Sequence, residues 1–95
     1  MIQRVEKRVT VTNSEGIHAR PSVMIVKLAQ TFRSQLTVAN DREGVEANAR
    51  SILDMISLVA TQGTELRIVA EGEDAEVAAL SIVDLVASGF PEVGK

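Results

Sequence analysis

Ninety-five residues with 45% hydrophobic and 24% charged side chains suit one small folded domain over residues 1–95, with too little chain for two cores. The net charge is −3, and the chain has one His and no Cys, Trp or Tyr. That inventory excludes disulfides, thiolate nucleophiles, iron–sulfur clusters and cysteine or multi-histidine metal sites, and nothing calls for a cofactor. With Phe32 and Phe90 as the only aromatics and an acidic balance, the chain is no nucleic-acid binder.

No apolar run approaches the roughly 20 residues of a membrane helix. The start, Met1-Ile2-Gln3-Arg4, is too polar for a signal peptide, so no membrane insertion and a cytosolic location are expected. Charge is unevenly spread. Residues 1–50 balance at +3 and residues 51–95 at −6, which favours the first half for an anion site.

Residues 4–12 alternate, with Val5, Lys7, Val9 and Val11 on one face, and read as a half-buried strand whose one polar intruder is Lys7. Asn13-Ser14-Glu15-Gly16 is a turn cluster. Ile25, Leu28, Ala29 and Phe32 then recur at helical spacing, and Pro21 fits a first turn, so a helix is expected from about Ala19–Pro21 to Phe32. Ser34 to Asn40 and Val45 to Ala49 alternate as two strands around the turn Asp41-Arg42-Glu43-Gly44. Ser51-Ile52-Leu53-Asp54 has the form of a capping box opening a short helix to about Val59. Leu66, Ile68 and Ala70 mark a further strand. Acids at Glu71, Glu73 and Asp74 precede a last helix with Ala75, Ala79, Ile82, Val83 and Val86 as its buried stripe, stopped by Gly89 and Pro91.

The order is βαββαβα. The simplest α+β arrangement is an open-faced sandwich, a four-stranded antiparallel sheet with three helices on one face.

The one histidine lies in Gly16-Ile17-His18-Ala19-Arg20-Pro21-Ser22, between a turn glycine and a helix start. First-turn N–H groups and the helix dipole make such a place suited to anions. Arg20 adds a guanidinium, and Pro21 restrains it. A ring nitrogen there is a nucleophile beside a phosphate-sized anion site. The plain alternative is a surface loop histidine beside a solvated arginine.

Gly16-Ile17-His18-Ala19-Arg20-Pro21 resembles the active-site motif of the HPr family, the histidine-containing phosphocarriers of the bacterial phosphotransferase system. The likeness runs over roughly residues 3–90 and includes the element order, Thr61-Gln62-Gly63-Thr64 and Ala70-Glu71-Gly72-Glu73. It implies a carrier whose His18 accepts a phosphoryl group on Nδ1 from enzyme I, charged by phosphoenolpyruvate. Arg20 would steady the phosphate, and an enzyme IIA would receive it, in sugar uptake or nitrogen-type regulation. Such a carrier is a phosphoryl-transfer intermediate rather than a turnover enzyme.

The segment Ser51-Ile52-Leu53-Asp54-Met55-Ile56-Ser57-Leu58 resembles the one holding the family's regulatory serine, and Ser51 matches it, with HPr kinase as the partner implied. A phosphate there would add about −1.5 to −2 charge at a helix start. Asp54 stands where regulated members often have glycine. Ser51 as an N-cap alone is the competing reading. Ile52, Leu53 and Ile56 are the candidate docking contacts. An alternative function is a regulatory binding module controlled through Ser51, and a third is a plain structural module. The tail Ser88-Gly89-Phe90-Pro91-Glu92 resembles the nitrogen-type branch, while a helix stop with Phe90 folded onto the core explains it equally.

Overall fold

The computed structural model describes residues 2–91; Met1 and the tail from Glu92, the last residue of the Ser88–Glu92 resemblance, lie outside them. The strands are β1 (Gln3–Thr10), β2 (Gln35–Asn40), β3 (Val45–Asn48) and β4 (Glu65–Gly72), and the helices α1 (Ala19–Ala29), α2 (Ile52–Ile56) and α3 (Ala75–Ala87). The βαββαβα order is as expected. The sheet runs β1-β4-β2-β3 and every neighbouring pair is antiparallel.

The register explains the alternation seen in the sequence. Lys7, Ile68, Val38 and Ala47 form one row across the sheet, and Val5, Ala70 and Leu36 another. These rows face the helices. Ile68, Val38, Leu36 and Ala70 are fully buried beside Ile25 and Ala29 of α1, Met55 of α2, and Ala79, Ile82 and Val86 of α3. Each large aliphatic side chain so buried contributes about 1.5–3 kcal/mol. Lys7 is tolerated on this face because β1 is an edge strand, and its Nζ reaches Glu76 Oε2 of α3 at 3.3 Å.

β4 and β2 are the inner strands. On the open face, Val69 and Ala39 are buried although alternation assigns them to the polar side. Arg67 lies directly across from Ala39, and its guanidinium is held by Asp41 at 2.9 Å and Glu46 at 3.2 Å.

Several element ends differ from the expected ones. α1 stops at Ala29, and tight-turn bonds from Thr31 N to Leu28 O and from Phe32 N to Ala29 O follow it. α2 has only five residues and ends well before Val59, because Val59 takes a φ of +58°. Half of the capping box forms. Ser51 Oγ accepts from Asp54 N at 3.2 Å, but the Asp54 carboxylate accepts from Asn48 N instead of Ser51 N. In α3, Ala78 is buried and Val83 only half-buried. Phe90 folds onto the core.

Asp74 has a role that its place before α3 does not suggest. Its side chain makes no cap; it accepts from the backbone N–H groups of Arg33 and Ser34, both at 2.9 Å, and from the Ser34 hydroxyl. It therefore staples the entry of β2 to the entry of α3. The Ser34 hydroxyl, then the Arg33 N–H, hold its carboxyl below the usual carboxylate range, against some desolvation. The Arg67 guanidinium does the same for Asp41.

A carboxyl depressed in the fold contributes stability that is present above its unfolded value near 3.8 and lost as pH falls through its folded value. Unfolding free energy should therefore decline below about pH 4. Asp74→Asn should flatten that decline even in high salt. The Asp41 part should shrink with added salt, because that ion pair is exposed. Denaturant titrations at several pH values and two salt concentrations measure both effects.

Candidate active site

The loop before α1 is tied down from both sides. Asn13 Nδ2 donates to Gly16 O at 2.9 Å, and Gly16 N donates back to Asn13 O. Ile17 is buried and its N–H donates to Ala60 O at 2.9 Å. Behind it, Val11 exchanges backbone bonds with Gly63 and Thr64, and Gln62 Nε2 donates to Thr12 O. Gly16 is obligatory here. It has φ +70°, and a Cβ would lie 2.4 Å from Ala60 O.

This anchoring leaves His18 as the N-cap of α1, in extended conformation, exposed, with its side chain making no cap hydrogen bond. Ser22 N closes the first helical bond to His18 O at 2.9 Å. Pro21 has no N–H, so the first turn offers the amides of Ala19 and Arg20 without acceptors inside the helix. No acidic residue occupies that turn, so the dipole's positive end is uncompensated from within the helix.

Arg20 lies two residues after His18 and is occupied. Its Nη2 pairs with Glu15 Oε1 at 3.1 Å, and its Nη1 lies 3.3 Å from Met24 Sδ. Its Nε is buried with no partner among the described residues. The site thus has an exposed ring with a free side chain, two open amides, and a cation resting on a displaceable carboxylate. Chemically that arrangement can accept and hold a tetrahedral dianion.

The structure brings His18 and Arg20 onto one helix start, as their spacing implied. Ser51 belongs to a different element, the start of α2, with its hydroxyl engaged as a cap. Ile52, Leu53 and Ile56 are all exposed on α2, Leu53 at 80%, while Met55 and Leu58 supply the core contacts. Glu15 and Ala60 escape sequence reasoning. Glu15 sits in a turn with no periodicity to mark its pairing, and Ala60 acts through its backbone carbonyl alone. No helix among the described residues is long and apolar enough to cross a membrane.

Comparison with known proteins gives a consistent result. The family model described as "PTS HPr component phosphorylation site" matches residues 5–88. The phosphocarrier protein NPr of Proteus mirabilis is 44% identical over 50 residues, and that of Escherichia coli K12 is 38% identical over 52, covering 53% and 55% of this chain. The chain spans about half the length of these relatives, 54% and 57%. The crystal structure of HPr-C-His from Thermoanaerobacter tengcongensis superposes with a TM-score of 0.85 at 38% identity, covering 95% of this chain and 99% of that one.

Proposed function

The chain belongs to the HPr family of the phosphotransferase system, and on that premise we propose that it is a cytosolic phosphocarrier working through His18. The observation that carries this reading is the exposed, uncapped His18 side chain at the start of α1, beside Arg20 and two open amides. Enzyme I, charged by phosphoenolpyruvate, is the donor and an enzyme IIA the acceptor. Similarity to NPr proteins favours the nitrogen-type branch over sugar uptake.

A lone pair on the imidazole, at Nδ1 by family resemblance, attacks phosphorus. The N–P bond forms as the bond from phosphorus to the donor breaks, and that electron pair leaves with the donor. The other ring nitrogen keeps its proton. The Ala19 and Arg20 amides meet the phosphoryl oxygens, and the phosphoryl group competes with Glu15 for the Arg20 guanidinium. Onward transfer reverses these steps with a different partner. Ile52, Leu53 and Ile56 supply the apolar surface on which the partners dock.

Regulation through Ser51 and HPr kinase is the less favoured reading. The Ser51 hydroxyl is the acceptor that caps α2, and the Asp54 carboxylate three residues on would repel a phosphate there.

Incubation with phosphoenolpyruvate and enzyme I tests the proposal. Intact mass should show one added phosphoryl group that is lost in acid; no addition, or an acid-stable one, would sink it. Arg20→Ala should slow acceptance by about 100-fold, the scale seen when one donor to a developing oxyanion is removed. Stopped-time phosphorylation of the variant measures it.

A further inference from the structure

Val59 holds a backbone conformation that its own side chain opposes. Its φ is +58°, in the left-handed region, where a β-branched residue is a genuine outlier. Helix exits of this kind normally use Gly or Asn. Burial gives no compensation, because Val59 is 60% exposed.

Both of its neighbours are pinned. Leu58 is fully buried, and its carbonyl accepts from the buried Asn40 side chain at 2.9 Å. Ala60 is buried, and its carbonyl accepts from Ile17 N at the base of the His18 loop. Between these fixed points the strained residue is held out at the surface. Strain of this sort persists where the surroundings over-determine it, and it gathers at functional sites.

The surface around it has a definite chemistry. Ile52, Leu53 and Ile56 are exposed on α2, and residues 52–63 carry one charged side chain, Asp54. Val59 is the next exposed large apolar residue along the chain and precedes Ala60, whose carbonyl seats the His18 loop. Val59 and His18 each adjoin, in the chain, one end of the bond from Ile17 N to Ala60 O, so a protein that gives a phosphoryl group to His18 approaches Val59 as well.

We infer that Val59 is a specificity-determining contact for the phosphoryl donor, an apolar knob held out by a strained backbone that fits an apolar recess beside the donor's phosphorylated group. The inference rests on the carrier reading of His18. It explains why a strained, exposed valine stands where an unstrained glycine or asparagine would serve the fold.

The test separates recognition from folding, because the two roles predict opposite signs. Val59→Gly and Val59→Asn both accept the left-handed backbone and both remove the apolar knob. With enzyme I and phosphoenolpyruvate, each should show an unchanged or higher thermal midpoint and an unchanged kcat. The KM for the carrier should rise about 5-fold, equivalent to about 1 kcal/mol. Val59→Leu should keep KM near that of the parent. An unchanged KM in both polar and glycine variants overturns the inference, as does a KM rise that comes with a lower midpoint. If the parent chain itself accepts no phosphoryl group, the carrier reading falls and takes this inference with it; normal turnover by the parent with unaltered variants removes the inference alone.

Discussion

His18→Ala should leave the fold standing while phosphoryl acceptance disappears. The imidazole caps nothing and is exposed, and the backbone bond from Ser22 N to His18 O does not need the ring. Its loss should therefore change unfolding free energy by no more than about 0.5 kcal/mol. The chain has no second histidine or cysteine to substitute as nucleophile. Acceptance from enzyme I should fall by about 1,000-fold or more, to the limit of detection. Circular dichroism melts and labelling time courses on the same preparation check the two halves together. Label persisting at the parental rate would move the site elsewhere.

Gly16→Ala should be the most damaging small substitution in the loop. Alanine at φ +70° is strained, and its Cβ would meet the Ala60 carbonyl oxygen at 2.4 Å and Thr61 Cα at 2.9 Å. Backbone strain and the forced overlap together should cost about 2–4 kcal/mol. For a domain of this size that is on the order of 10 °C or more in thermal midpoint. Gly44 supplies the control. It has φ +68° with nothing within 4 Å of a new Cβ, so Gly44→Ala should show the conformational cost alone, about 1 kcal/mol. A Gly16→Ala variant no less stable than Gly44→Ala would mean that the His18 loop does not seat on Ala60.

If the Gly16 variant survives folding, its loop must lift from residues 60–61. The bond from Ile17 N to Ala60 O is then the first to lengthen, and His18 loses its fixed position at the start of α1. Slower phosphoryl acceptance should accompany the lost stability, in contrast to His18→Ala, where chemistry fails on an intact fold.

Much of this architecture is legible in the sequence because burial repeats with the period of each element. Leu36 and Val38, and Leu66, Ile68 and Ala70, mark the helix-covered face of the sheet, and Ile25 and Ala29 mark the buried face of α1. Gly16, His18, Arg20 and Pro21 lie within six consecutive residues, so a motif could place the candidate site without any tertiary contact. What could not be read depends on contacts between distant segments. Val69 and Ala39 are buried on the open face, among neighbours on other strands, which alternation within one strand cannot express. Asp74 looked like an acid for a helix start but binds the entry of β2, 40 residues away in the chain. The early end of α2 follows from the left-handed turn at Val59, which no local propensity favours, since β-branched residues avoid it.

The pairing of Arg20 with Glu15 belongs to the same class, and it bears on how the site works. A cation held by a surface carboxylate is cheaply released, because such exposed pairs contribute about 0–1 kcal/mol. On the proposed reading, Arg20 moves from Glu15 to a phosphoryl group on His18 and back within one cycle. A carrier needs this balance, since a phosphate held too firmly would not move on.

The most direct test of that account is a chase. Chain phosphorylated by enzyme I and phosphoenolpyruvate is separated from both and then mixed with a nitrogen-type and, in parallel, a sugar-type enzyme IIA. Acid-labile label on His18 that passes to an enzyme IIA, faster to the nitrogen-type protein, is the predicted result. Label that stays on the chain with both acceptors, or that lies on Ser51, would contradict it.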